Sequence, residues 1–162
     1  MERTPSQTIG PFFHLCLTTP RGCVACLAAP DSQGERVRIA VRVLDGDGAP
    51  VNDAMVEAWQ ADATGFRGFG RLATDENGLC VFETIRPAPH VDLSVFARGL
   101  LDRVVTRIYF AGDPANERDA VLALVPCERR ETLLAHPDLE EAGLWNFEIR
   151  LCGDRETVFF EV

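Results

Sequence analysis

Between Arg36 and Leu44 the side chains change character at every step, with Val37, Ile39, Val41 and Val43 alternating with Arg36, Arg38, Ala40 and Arg42. A period of two belongs to a β-strand with one face in a core and the other toward water. The alternation returns over Ala54–Asp62, where Met55, Glu57, Trp59 and Ala61 share one face and Val56, Ala58 and Gln60 the other. Leu79–Ile85 and Arg103–Ala111 read as further strands, and Trp145–Cys152 and Glu156–Val162 as a closing pair joined at Gly153-Asp154. Thr132–Ala135 is a weaker strand signal, and Phe66–Arg71 reads as a glycine-rich aromatic crossing. Turn sequences, Asp45-Gly46-Asp47-Gly48 and Asp75-Glu76-Asn77-Gly78, separate these runs. Asp113 ahead of Pro114 suits a helix N-cap followed by proline in the first turn, which predicts one short helix over Pro114–Leu122. Short strands, turns between them and a single minor helix predict an all-β fold, an antiparallel β-sandwich over residues 35–162.

Residues 1–34 differ in kind. Pro5, Gly10, Pro11, Pro20, Gly22, Pro30 and Gly34 break any regular element there, so an extended N-terminal arm is expected. Ile9, Phe12, Phe13, Leu15 and Leu17 are too apolar to stay in water, and the arm is expected to pack on the core and on a partner. A net charge of −9 opposes binding to nucleic acid or to an anionic membrane. No apolar run approaches the roughly 18 residues of a spanning helix, and the polar start of the chain is unlike a secretory signal, so a cytoplasmic location is expected. All 16 cationic side chains are arginine, which removes lysine nucleophiles from consideration.

Few residues offer chemistry. No nucleophile elbow, dinucleotide fingerprint or P-loop occurs. Cys23-Val24-Ala25-Cys26 falls among breakers rather than between a strand and a helix, so the six cysteines are read as reduced and structural. Asp45 and Asp47 faintly suggest a calcium loop, but its closing glutamate is missing and a hairpin turn explains them. His90 and Asp92 stand two apart in the stretch Arg86–Gly99 and, on a strand, share a face. A two-histidine, one-carboxylate iron site would draw its second histidine from His14 or His136, neither of which has a spacing partner.

The segments Thr4–His14, Asp45–Asp62, Pro89–Gly99 and Phe147–Phe160 resemble the intradiol ring-cleaving dioxygenases, and the resemblance covers nearly the whole chain. Pro89-His90-Val91-Asp92-Leu93-Ser94-Val95-Phe96-Ala97-Arg98-Gly99, Thr106-Arg107-Ile108-Tyr109-Phe110 and Arg129-Arg130-Glu131-Thr132-Leu133-Leu134-Ala135 are similar to the iron-free subunits of the family's two-subunit members. The family's catalytic subunits hold ferric iron with two tyrosines and two histidines. Against that set this chain has Phe66 at the first tyrosine position, no loop for the second between Thr84-Ile85-Arg86-Pro87 and Pro89, and His90-Val91-Asp92 in place of the histidine pair. The resemblance therefore implies a chain that binds no metal itself and pairs with a homologous β subunit carrying Fe(III). It also implies cleavage of protocatechuate (3,4-dihydroxybenzoate) by O₂ to 3-carboxy-cis,cis-muconate, a step of aromatic catabolism. Thr8, Gly10, Pro11 and Phe12 would line the shared substrate pocket, Phe12 standing where such subunits often have tyrosine, and Arg98 would add positive charge at its entry. Two other readings stand beside this one: a non-catalytic β-sandwich scaffold, and an independent metalloenzyme built on His90 and Asp92.

Overall fold

In the computed structural model the protein is described over residues 17–62, 65–86 and 89–161. Eight strands run in chain order as β1 (Arg36–Leu44), β2 (Met55–Ala61), β3 (Arg67–Ala73), β4 (Leu79–Ile85), β5 (His90–Phe96), β6 (Val104–Phe110), β7 (Leu134–Pro137) and β8 (Leu144–Arg150). They hydrogen-bond in the order β3-β2-β5-β6-β7-β8-β1-β4. The short β7 links a β3-β2-β5-β6 layer to a β8-β1-β4 layer, pairing parallel with β6 and antiparallel with β8. The β1–β8 pairing is also parallel and the remaining pairings are antiparallel.

The alternation of β1 is realised as read: Val37, Ile39, Val41 and Val43 are all but fully buried. From β2 the core takes Val56 and Ala58, from β5 Val91, Leu93 and Val95, and from β8 Trp145, Phe147 and Ile149. Gln60 continues the inward row of β2 and is satisfied there. Its Nε2 donates to the Ile85 carbonyl at 3.0 Å and its Oε1 accepts from Thr84 Oγ1 at 2.7 Å, which ties the two layers together.

The two outermost strands, β3 and β4, are joined by the segment before β1. Val24 exchanges backbone hydrogen bonds with Arg71 of β3 (2.7 and 2.8 Å), while Glu83 of β4 donates to Ala25 (2.9 Å) and accepts from Leu27 (2.8 Å). Leu27, only 6% exposed, drops into the seam. A Cβ at Gly70 would stand 2.6 Å from Leu27 Cδ1, and one at Gly68 would stand 2.9 Å from the Leu27 carbonyl oxygen. Glycine at both positions makes room for the seam. Phe66–Arg71 is thus mainly strand rather than a crossing; its inward positions are glycines because Leu27 supplies the apolar side chain there. Cys23 and Cys26 flank the bridge to Arg71 as free thiols.

Two further expectations are corrected. The helix over Pro114–Leu122 is two pieces, a 3-10 turn at Pro114–Arg118 capped by Asp113 and a short helix α1 (Ala120–Leu124) capped by Asp119. Asp119 is extended (φ −77°, ψ 117°) and its carboxylate takes the Val121 and Leu122 N–H groups, so the helix restarts there. The described part of the Glu156–Val162 tail forms no strand; it meets β8 at Arg150, whose carbonyl accepts from Thr157 N–H at 3.0 Å and whose N–H donates to Thr157 Oγ1 at 2.9 Å. The tail then runs to β6, where Phe160 N–H donates to Val105 at 2.8 Å and Thr106 Oγ1 to Val158 at 2.8 Å. A second 3-10 stretch, Cys127–Leu133, occupies the start of the weak strand signal and leads into β7.

Candidate functional site

On β5 the burial alternates strictly, with Val91, Leu93 and Val95 in the core and His90 and Asp92 together on the outer face. The antiparallel register sets His90 opposite Tyr109 and Asp92 opposite Arg107 on β6. Arg107 and Tyr109, two apart, share the outer face for the same reason. Arg107 Nε donates to Asp92 Oδ1 at 2.9 Å. The Tyr109 hydroxyl donates to Asp119 Oδ1 at 2.9 Å beneath α1, which packs with Leu122, Val125 and Leu133 around the ring. His90 lies between the two carboxylates, its Nε2 at 3.6 Å from Asp92 and its Nδ1 at 3.6 Å from Asp119. Nδ1 is buried without a hydrogen-bond partner among the described residues.

The ionisation of this cluster follows from its contacts. Burial pushes Asp92 toward its neutral form, but His90 and Arg107 outweigh it and hold the carboxyl below the usual range. Burial likewise acts on Asp119 and is outweighed by the Leu122 N–H, the Tyr109 hydroxyl and His90, so its pKa is also lowered. Burial raises the Tyr109 phenol to about 12, and the Asp119 carboxylate it donates to works in the same direction. The outcome is two carboxylates, a guanidinium and a neutral phenol, each holding the next.

That arrangement is a poor host for ferric iron. Two phenolates stabilise the oxidation state in the donor set the resemblance implies. Here the ring of Phe66 lies against Gly68, and the single tyrosine of the chain is a neutral phenol that donates a hydrogen bond to Asp119. Asp92 is engaged by a cation already, and among the described residues no three His, Cys, Asp or Glu side chains are placed to hold a metal ion. The described residues do not fit the group.

Trp59 and Phe69 extend the same face, their ring centroids 4.4 Å apart, with Trp59 opposite Asp92 in the sheet and 51% exposed. A cavity of about 500 Å³ opens beside the cluster between Pro89, Asp113 and Asp119. A larger groove of about 830 Å³ lies on the outer face of the other layer, over β1 and β8. Acids and bases pair with each other there, Glu148 with Arg150 and Arg155, Glu131 with His136, so it presents no concentrated charge.

Residues 10–90 match a family model described as "Dioxygenase". The protocatechuate 3,4-dioxygenase alpha chain of Burkholderia cepacia is 39% identical over 199 aligned positions, covering 100% of this chain and 98% of that one. This chain belongs to the intradiol ring-cleaving dioxygenases. The beta chain from the same organism is 32% identical over 136 positions, covering 66% of this chain and 58% of its own length. Among solved structures, the dioxygenase domain of a dioxygenase carbohydrate-binding protein fusion from Streptomyces sp. SirexAA-E superposes with a TM-score of 0.63 at 25% identity, over 97% of this chain and 100% of that one.

Of the residues read as substrate-lining, the structure describes Arg98. Thr8, Gly10, Pro11 and Phe12 lie outside the described residues, as does His14. Arg98 follows β5 at the end opposite His90, 69% exposed at its side chain, with Nε 2.9 Å from Asp53 Oδ2. His136 is in β7 and pairs with Glu131 at 2.9 Å. The engagement of Asp92 by Arg107 was missed from sequence. The alternation of Val105, Arg107 and Tyr109 carried its signal, but only the β5–β6 register reveals the partner.

Proposed function

We propose that this chain is the iron-free alpha subunit of a protocatechuate 3,4-dioxygenase. It pairs with a homologous beta subunit that carries Fe(III), and the complex cleaves 3,4-dihydroxybenzoate with O₂ to 3-carboxy-cis,cis-muconate, a step of aromatic catabolism in the cytoplasm. The observation that carries the reading is end-to-end similarity to an alpha chain combined with a histidine strand whose carboxylate is claimed by Arg107 at 2.9 Å. A chain with family membership along its whole length and no donor set for iron among its described residues has its part in catalysis at a surface shared with an iron-bearing relative. In that role the arm at Thr8, Gly10, Pro11 and Phe12 forms part of the pocket wall. Arg98, a fixed and exposed cation, draws the carboxylate of the substrate toward the entry.

Co-expression with the beta chain tests the proposal. The expected result is a complex that copurifies with iron and consumes O₂ when given protocatechuate, while the chain expressed alone does neither. A stable complex without iron and without O₂ uptake would refute it. The scaffold reading predicts no complex at all.

A further inference from the structure

The pair formed by Arg98 and Asp53 is built into the sheet. Met55 and Phe96 are the last partners of the β2–β5 ladder, and continuing their antiparallel register by two residues sets Asp53 opposite Arg98. Both stand just beyond the ladder, where backbone pairing no longer dictates what the side chains do. Ala97, fully buried, fixes the backbone ahead of Arg98, and Leu100 N–H donates to the Ala97 carbonyl at 3.2 Å to close the turn through Gly99 (φ +91°). The side chain is another matter: an exposed arginine samples many rotamers unless something holds its head group. Asp53, only 25% exposed against 69% for Arg98, meets Nε at 2.9 Å. Contact through Nε leaves the four N–H bonds on the two Nη atoms for a second carboxylate, which they can take bidentately.

We propose that Asp53 is a positioning residue, which holds the Arg98 guanidinium by Nε so that its Nη edge faces the carboxylate of the aromatic acid. This rests on the reading of Arg98 given above. Pairing with an acid weakens the long-range attraction of Arg98 and adds orientation at close range. Asp53 thus serves recognition of the bound substrate rather than its distant capture.

The test uses the co-expressed complex, with steady-state kinetics on protocatechuate and a thermal midpoint for each variant. Arg98→Ala is expected to raise KM about ten-fold with kcat unchanged, as loss of a charge-assisted contact to the ground state requires. Asp53→Asn, which keeps the size and removes the charge, is expected to raise KM about three-fold, the scale of an exposed pair, again with kcat unchanged. Asp53→Glu should keep most of the wild-type KM. In the Arg98→Ala background Asp53→Asn should add nothing, because its effect passes through the guanidinium. If Arg98→Ala raises KM while Asp53→Asn leaves it unchanged or lowers it, the positioning role is overturned and Arg98 keeps its own. An Asp53→Asn effect that persists in the Arg98→Ala background would show a structural role in the turn, and also overturns it. Unchanged KM in Arg98→Ala removes the steering role of Arg98 itself, and the role of Asp53 with it.

Discussion

Tyr109 is the only tyrosine in the chain, so its ionisation is visible without interference. A phenol held near 12 should show no phenolate absorbance as the folded protein is titrated through the ordinary tyrosine range near 10, and the signal should appear there once the chain is unfolded. Because the folded pKa is the higher one, the stability this group contributes is complete below about 10 and is lost as pH rises toward 12. Asp92 and Asp119 act at the other end. Their folded pKa values are lowered, so their contribution is complete above the ordinary aspartate value of about 3.9 and is lost as pH falls through the depressed values. Urea unfolding midpoints should therefore fall steeply below pH 4, and Arg107→Met should flatten the part of that slope due to Asp92 while costing about 1 kcal/mol at neutral pH. The cluster was half legible in the sequence. Two residues apart on a strand placed His90 and Asp92 on one face, but whether that face looks onto a metal, solvent or another strand's arginine depends on pairing between segments, which no spacing within β5 encodes.

At the scale of elements, the strands with an apolar inner row were readable and those that borrow apolar surface from elsewhere were not. β1 shows its own core face in Val37, Ile39, Val41 and Val43, so its period is plain. β3 presents Gly68 and Gly70 inward and leaves the space to Leu27, some forty residues earlier, so its period is invisible in the local sequence. The tail after β8 has a strand-like composition but meets that strand only at Arg150 and then turns to β6 at Val105. The break in the predicted helix at Asp119 follows from a carboxylate with three hydrogen-bond donors, of which the Tyr109 hydroxyl comes from another element. Leu27→Ala should destabilise the chain by about 2–4 kcal/mol, as for other buried leucines. Gly70→Ala should also destabilise, since its Cβ meets Leu27 Cδ1 at 2.6 Å and Phe82 Cδ1 at 2.8 Å. Because the two share one space, the double variant should lose less than the sum of the two, and denaturant unfolding of all three proteins checks it. A strictly additive result would show that Leu27 and Gly70 do not compete for room.

For the whole molecule, fold and family were legible because several separated segments agree, and end-to-end similarity confirms what the alternation alone predicts. The 199 aligned positions against the alpha chain of Burkholderia cepacia exceed the 162 residues of this chain, so at least 37 positions of that relative have no counterpart here. The chain carries the family's sandwich in fewer residues than that relative. Metal analysis of the chain purified alone should find no stoichiometric iron or zinc, and a bound metal retained through dialysis would revive an independent centre at His90 and Asp92. The seam at Val24–Leu27 bears on how such a chain associates with anything else. Sheets commonly recruit partners by strand addition, an incoming backbone completing the hydrogen bonds of an exposed edge. In this protein the middle of each outer edge, at Arg71 and at Glu83, is already bonded to the chain's own Val24, Ala25 and Leu27. Those edges are not open templates. A partner seated there meets side chains, so specificity is written in residues that mutation can exchange one at a time.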